Sequence, residues 1–84
     1  MKAEGAWWVT GAASGIGKVL TGMLKERGER LVLWDRDAAG LKEAAAALGS
    51  AVVSQAVVDV ADPVAVSEAA AAMREQGVGV ANLV

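Results

Sequence analysis

TGAASGIGK, residues 10–18, follows the apolar run AWWVT (residues 6–10) and precedes an amphipathic segment. It places three glycines, Gly11, Gly15 and Gly17, where a strand is expected to pass into a helix. Glycine loses more backbone entropy on ordering than any other residue, so three of them in one turn require a compensating role. The rest of the chain indicates what that role is.

Four short apolar runs typical of buried strands occur at residues 6–10, 31–34, 51–58 and 80–84. Helical patterns separate them, which gives the order β-α-β-α-β-α-β. Strands that are apolar throughout favour a parallel sheet covered on both faces. With right-handed crossovers, the sequence predicts a three-layer α/β fold of Rossmann type, an incomplete doubly wound sheet with strand order 3-2-1-4.

The helical segments have predictable faces and ends. The second helix begins near Asp37, and the third has Asp62 as N-cap with Pro63 at its first position. Each segment stops at a glycine, namely Gly28, Gly49 and Gly77. The first helix is expected to carry an apolar stripe, and the other two to turn apolar residues inward: Ile16, Leu20, Met23, Leu24 and Arg27 for the stripe, Leu41, Ala44, Ala45 and Leu48 for the second helix, and Val66, Ala69, Ala70 and Met73 for the third.

Composition excludes several functional classes. Hydrophobic residues make up 55% of the chain and charged residues 21%, with net charge −2, which argues against a disordered chain and a basic nucleic-acid binder. The sequence contains no Cys, His or Tyr, which excludes thiolate metal sites and Cys nucleophiles and leaves acid–base chemistry to Lys and carboxylates; we predict no metal-ligating residues. No apolar run approaches the roughly 20 residues of a membrane span, and we expect a soluble, cytoplasmic protein.

The glycine-rich stretch would lie at the carboxyl end of the first strand, where open α/β sheets bind ligands. Gly11 would allow a tight exit from the strand, Gly15 a close approach of the backbone to a pyrophosphate, and Gly17 close packing of the helix. The free N–H groups and the positive dipole end of the helix would favour the anion. Alternatively, the glycines only make a turn and Ser14 only caps the helix.

TGAASGIG resembles the TGxxxGxG pattern of the short-chain dehydrogenases/reductases. WDRD, VDVAD and VANLV follow in the order of that family's later landmarks. The resemblance implies a dinucleotide cofactor. In residue terms, it implies cofactor contacts at Gly11, Ser14, Gly15, Ile16 and Gly17, with Asp59 and Val60 matching the Asp-Val pair beside the adenine.

Asp35 ends the second strand 18 residues after Gly17, close to the spacing at which dinucleotide-binding folds hold the adenosine ribose. Its carboxylate would repel a 2′-phosphate, so the sequence favours NAD over NADP. Arg36 supports the alternative, because some NADP-using members of the resembled family bind the 2′-phosphate with a basic residue at this position. Their other basic position is occupied here by Ser14.

The family's catalytic Ser, its YxxxK motif and its Asn all follow the fourth strand. We therefore expect residues 1–84 to be a dinucleotide-binding domain that stops before the catalytic half and binds cofactor without turnover; whether the chain is itself an enzyme stays open. The alternative is a noncatalytic nucleotide-binding or interaction module.

The fourth strand would form an open edge and one face would be covered by one helix, so self-association or a partner chain is expected. Trp7 and Trp8 should face opposite sides of the first strand and pack in the core; the alternative is that one of them stacks on the cofactor.

Overall fold

The computed structural model describes residues 5–77 and 80–83. The predicted order of strands and helices is confirmed. Residues 49–51 form a short 3-10 helix, so the third strand begins one residue later than expected, and Val84 lies outside the described residues. The elements are β1 (Ala6–Thr10), α1 (Gly15–Glu26), β2 (Leu31–Asp35), α2 (Ala38–Leu48), β3 (Val52–Val57), α3 (Pro63–Glu75) and β4 (Val80–Leu83).

The strands form a parallel sheet in the order β3-β2-β1-β4, which confirms the predicted Rossmann-type arrangement. β1 pairs with β2 from Trp7 opposite Leu31 to Thr10 opposite Trp34. β2 also pairs with β3, up to Asp35 opposite Val57. Because β2 is bonded on both sides, its carboxyl end lies between the loops that follow β1 and β3.

Each helix begins at a side-chain cap. Ser14, Asp37 and Asp62 accept hydrogen bonds from backbone N–H groups two or three residues later. Caps of this kind stabilise a helix by about 0.5–2 kcal/mol relative to alanine. No helix among residues 5–77 and 80–83 is long and apolar enough to cross a membrane.

The core has two parts, one on each face of the sheet. On one face α1 and α2 cover β1 and β2, and α2 turns its predicted residues inward. On the other face, α3 is the only described helix that packs against the sheet. The inward positions of α3 are confirmed, with Met73 6% exposed. Trp7 packs on the first face and Trp8 on the second, as predicted.

The prediction for α1 is wrong at three of the five positions of its stripe. Ile16 is 85% exposed, Met23 is 58% exposed and the Arg27 side chain is 68% exposed, whereas the buried residues of α1 are Gly17, Thr21 and Leu24. The physical reason is that α1 lies very close to the preceding loop at Gly17, where a Cβ would overlap the carbonyl oxygen of Gly11. This contact sets the rotation of the helix about its axis and turns Ile16 and Met23 toward solvent.

Candidate functional site

Three loops meet at the carboxyl end of the sheet, and the end of β2 joins them. The carbonyl oxygen of Trp34 accepts a hydrogen bond from the N–H of Ala12 at 3.2 Å. The carbonyl oxygen of Asp35 accepts one from the N–H of Val58 at 3.0 Å. The loop after β1 and the loop after β3 are therefore held on either side of Asp35.

The three glycines of the first loop differ in what the protein itself requires. Gly11 has φ +68°, a conformation that residues with side chains rarely adopt. A Cβ at Gly17 would overlap the carbonyl oxygen of Gly11 and would lie 3.0 Å from the Cα of Ala12. A Cβ at Gly15 would meet no protein atom within 4 Å. The fold thus accounts for Gly11 and Gly17, while the space beside Gly15 is open.

Ser14 closes this loop. Its hydroxyl donates to the carbonyl oxygen of Gly11 at 2.7 Å and accepts from the N–H of Gly17 at 3.0 Å. The capping role that the sequence left open is therefore real. Since the hydroxyl hydrogen already has an acceptor, a donated hydrogen bond from Ser14 to a ligand would require this hydrogen to rotate. A cofactor contact at Ser14 stays a prediction.

The N–H groups of Gly15 and Ile16 point out of the first turn of α1. Among the described residues, neither group has a hydrogen-bond acceptor. Unpaired N–H groups at a helix N-terminus carry the positive end of the helix dipole and favour an anionic ligand. The geometry of the loop is thus compatible with the diphosphate that the sequence predicts there.

Asp35 has both carboxylate oxygens engaged by the protein. Oδ2 accepts from the N–H of Ala13 and Oδ1 from the N–H of Asp37, each at 2.8 Å. The sequence predicted a ribose contact for Asp35 but not these two bonds. A carboxylate has about four lone-pair sites, so hydroxyl groups of a ligand could still donate to the remaining ones.

The other candidate residues lie on the flanking loops. Arg36 is exposed directly after β2. Asp59 is exposed, and its Oδ1 accepts from the N–H of Ala61 at 2.9 Å, which makes it partly a turn residue. Val60 is 59% exposed. The fold brings these loops to the same edge as the glycine-rich loop, and their contacts with a nucleotide stay predictions.

Sequence reasoning missed Ala13 and Gly40. Ala13 donates to Asp35, and a Cβ at Gly40 would lie 2.9 Å from the Cβ of Ala13. A signal was present for Gly40, because glycine lies there in the first turn of an otherwise Ala-rich helix. Glycine in a helix costs about 1 kcal/mol relative to alanine, so it needs a packing reason.

Comparison with known proteins finds the same architecture. The family model described as short chain dehydrogenase matches residues 6–84. Galactitol 2-dehydrogenase (L-tagatose-forming) of Cereibacter sphaeroides is 49% identical over 63 residues, covering 75% of this chain and 25% of the relative.

Two solved structures extend the comparison. The 3-ketoacyl-(acyl-carrier-protein) reductase of Brucella melitensis, complexed with NADH, matches 98% of this chain with TM-score 0.80 and 31% identity. NAD⁺-bound xylitol dehydrogenase matches 98% with TM-score 0.81 and 26% identity. The chain spans 34% and 32% of these two proteins, respectively.

The first prediction concerns the close approach at Gly17. Gly17→Ala should lower the stability of the protein by more than about 1 kcal/mol, because backbone atoms must move to admit the new Cβ. Gly22→Ala is the matched control, since a Cβ there meets nothing within 4 Å and alanine favours the helix. Urea denaturation followed by tryptophan fluorescence measures both. Equal stability of the two variants would contradict the close contact.

Proposed function

Because this chain belongs to the short-chain dehydrogenase family, we propose that residues 1–84 form the NAD(H)-binding part of an oxidoreductase that acts on a CH–OH or carbonyl group. The observation that carries the proposal is the pair of unpaired N–H groups at Gly15 and Ile16. They lie in the first turn of α1 at the carboxyl end of a parallel sheet, directly after a loop whose Ala13 N–H donates to the carboxylate of Asp35. Two structural relatives are described with NADH or NAD⁺ bound.

In this proposal each loop holds one part of the cofactor. The diphosphate lies against the N–H groups of the glycine-rich loop, with Gly11, Ser14 and Gly17 shaping that loop. The hydroxyls of the adenosine ribose donate to Asp35, and the adenine lies beside Asp59 and Val60. When bound, the nicotinamide supplies the hydride chemistry; the protein supplies binding and orientation.

We also propose that residues 1–84 bind cofactor without turnover. The sequence contains no Tyr, so the proton donor of the family's YxxxK motif is not among these residues. Hydride transfer needs a proton partner for the substrate oxygen and a pocket that holds the substrate. A cytoplasmic location is part of the same proposal, because no apolar run in the sequence approaches the roughly 20 residues of a membrane span.

The second prediction separates cofactor binding from folding at Gly15. Gly15→Ala should fold as stably as the parent protein, because a Cβ there contacts no protein atom. Its affinity for NAD⁺ should fall at least tenfold, since the methyl group would occupy the space next to the exposed N–H groups. Isothermal titration calorimetry at up to millimolar NAD⁺ measures the affinity, and circular dichroism verifies the fold.

Gly22→Ala serves as the control for this experiment as well. It introduces the same methyl group on α1, two turns from the loop, and should leave NAD⁺ affinity unchanged. If Gly15→Ala binds NAD⁺ as tightly as Gly22→Ala does, the diphosphate does not lie at this helix end. If the folded parent protein takes up neither NAD⁺ nor NADP⁺, the proposed function itself is wrong.

The third prediction concerns the choice of cofactor. We propose NAD rather than NADP, because the Asp35 carboxylate can accept from both ribose hydroxyls and repels a 2′-phosphate. The parent protein should bind NAD⁺ at least tenfold more tightly than NADP⁺, and Asp35→Ala should reduce that ratio to below threefold. The ratio is informative because both cofactors share the diphosphate, so any disturbance of the loop affects them equally. A ratio that does not change would remove Asp35 from the ribose site.

Arg36→Ala tests the alternative. If Arg36 binds a 2′-phosphate, this variant loses affinity for NADP⁺ and keeps its affinity for NAD⁺. If the parent protein also binds NADP⁺ more tightly than NAD⁺ in the same titration, NADP is the cofactor.

A second candidate function is pairing through the open sheet edge, either with another copy or with a partner chain. The supporting observation is the strand order, which places β4 at one of the two outer positions of the sheet and β3 at the other. An edge strand has unpaired backbone N–H and C=O groups on its outer side, and another chain can bind to them. The exposed apolar residues of α1, which include Ile16, Val19 and Met23, offer a different surface.

The fourth prediction follows from this candidate. Light scattering over a concentration series should show a dimer or larger assembly with or without NAD⁺. Met23→Glu, which places a charge on the exposed face of α1, should not change the assembly if β4 forms the interface. A monomer at all concentrations would rule out the pairing function, and loss of assembly in Met23→Glu would assign the interface to α1 instead.

A further inference from the structure

Gly40 lies in the first turn of α2 and directly faces the glycine-rich loop. A Cβ at this position would lie 2.9 Å from the Cβ of Ala13 and 2.7 Å from Oδ2 of Asp37. Contacts of this length are shorter than side chains tolerate without movement. The first turn of α2 therefore packs against Ala13 as closely as a glycine permits.

A hydrogen bond to Asp35 holds the backbone of Ala13 in place. Its N–H donates to Oδ2 of Asp35 at 2.8 Å, in a partly buried hydrogen bond between residues 22 positions apart. Oδ1 of Asp35 accepts from the N–H of Asp37, and Asp37 in turn caps α2 by accepting from the N–H of Gly40 at 3.1 Å. These contacts close a ring, the Ala13 ring, which consists of Ala13, Asp35, Asp37 and Gly40.

We propose that Asp35 and Gly40 are positioning residues that fix Ala13 and so set the direction of the unpaired N–H groups of Gly15 and Ile16. The inference rests on the proposed function and gives a physical reason for the direction of these N–H groups. Ala13 directly precedes Ser14, the cap of α1, so a displacement of Ala13 moves the cap and the first turn together. Asp35 then has two roles, one toward the ribose and one toward the loop that holds the diphosphate.

A coupling between the two ends of the nucleotide follows from this arrangement. A shift of Asp35 on meeting the ribose changes the acceptor of Ala13 and thereby the loop at the diphosphate. Gly40 contributes without any contact to the nucleotide in this proposal, because its role is to leave room for the Ala13 methyl group and for the Asp37 carboxylate. This separates Gly40 from the residues that bind the cofactor directly.

The fifth prediction uses a substitution and its compensation. Gly40→Ala should weaken NAD⁺ binding at least fivefold and accelerate hydrogen exchange of the Ala13 N–H at least tenfold, because the new methyl group displaces Ala13 from Asp35. The double variant Ala13→Gly/Gly40→Ala removes the opposing methyl group and keeps the N–H. It should restore both quantities to within about twofold of the Ala13→Gly variant. Calorimetry and amide exchange by NMR measure them.

The outcomes distinguish this inference from the proposed function. If Gly40→Ala keeps the parent affinity and exchange rate, or if Ala13→Gly fails to compensate, the effect of Gly40 does not pass through Ala13 and the inference is wrong. If Gly40→Ala alone does not fold, Asp35→Asn replaces it: faster exchange at Ala13 supports the ring and an unchanged rate overturns it. Exchange at Ala13 is read without cofactor, so it remains decisive even if the parent protein binds no NAD⁺.

Discussion

The absence of a side chain at Gly17 is the constraint on which the rest of the site depends. It lets α1 lie against the backbone of Gly11 and Ala12, closer than any Cβ would permit. This approach sets the rotation of α1, so that Thr21 and Leu24 are buried while Ile16 and Met23 face solvent. It also leaves the N–H groups of Gly15 and Ile16 at the carboxyl end of the sheet. One missing methyl group thus determines both a core contact and the candidate binding surface.

The end of β2 provides the second constraint. Asp35 binds three segments at once: its carbonyl oxygen accepts from Val58, and its carboxylate accepts from Ala13 and Asp37. Hydrogen bonds to a charged acceptor contribute about 1.5–3 kcal/mol each when well formed, and less where water competes. The loops after β1 and β3 are therefore held by the same residue that the spacing in the sequence assigns to the ribose. The N–H groups of Ala13 and Asp37 therefore orient this carboxylate before any ligand arrives.

The sequence predicts those features of the fold that local residue patterns determine. Apolar strand runs, the caps Asp37 and Asp62 and the right-handed crossover rule suffice for the strand order and for the inward faces of α2 and α3. The rotation of α1 was not predictable from hydropathy, because its cause, Gly17, has no side chain to score. The bonds of Asp35 to the loops were missed because their partners are backbone N–H groups, which every residue but proline carries. Sequence reasoning thus located the candidate site and the close packing at Gly17, but not the bonds of Asp35 to the loops or the packing of Gly40 against Ala13.

Packing on the second face of the sheet links folding to ligand binding. α3 is the one described helix on that face. On that face Trp8 packs edge-on against Trp34, with ring centroids 4.4 Å apart, and its buried indole N–H has no acceptor among the described residues. An unpaired buried donor costs about 1–3 kcal/mol, which is large beside the net stability of about 5–15 kcal/mol of native proteins. A ligand present at 100 times its Kd adds about 2.7 kcal/mol to the folded state, which is comparable. If a dinucleotide binds at the loops joined by Asp35, it therefore stabilises the whole sheet and not only its own site.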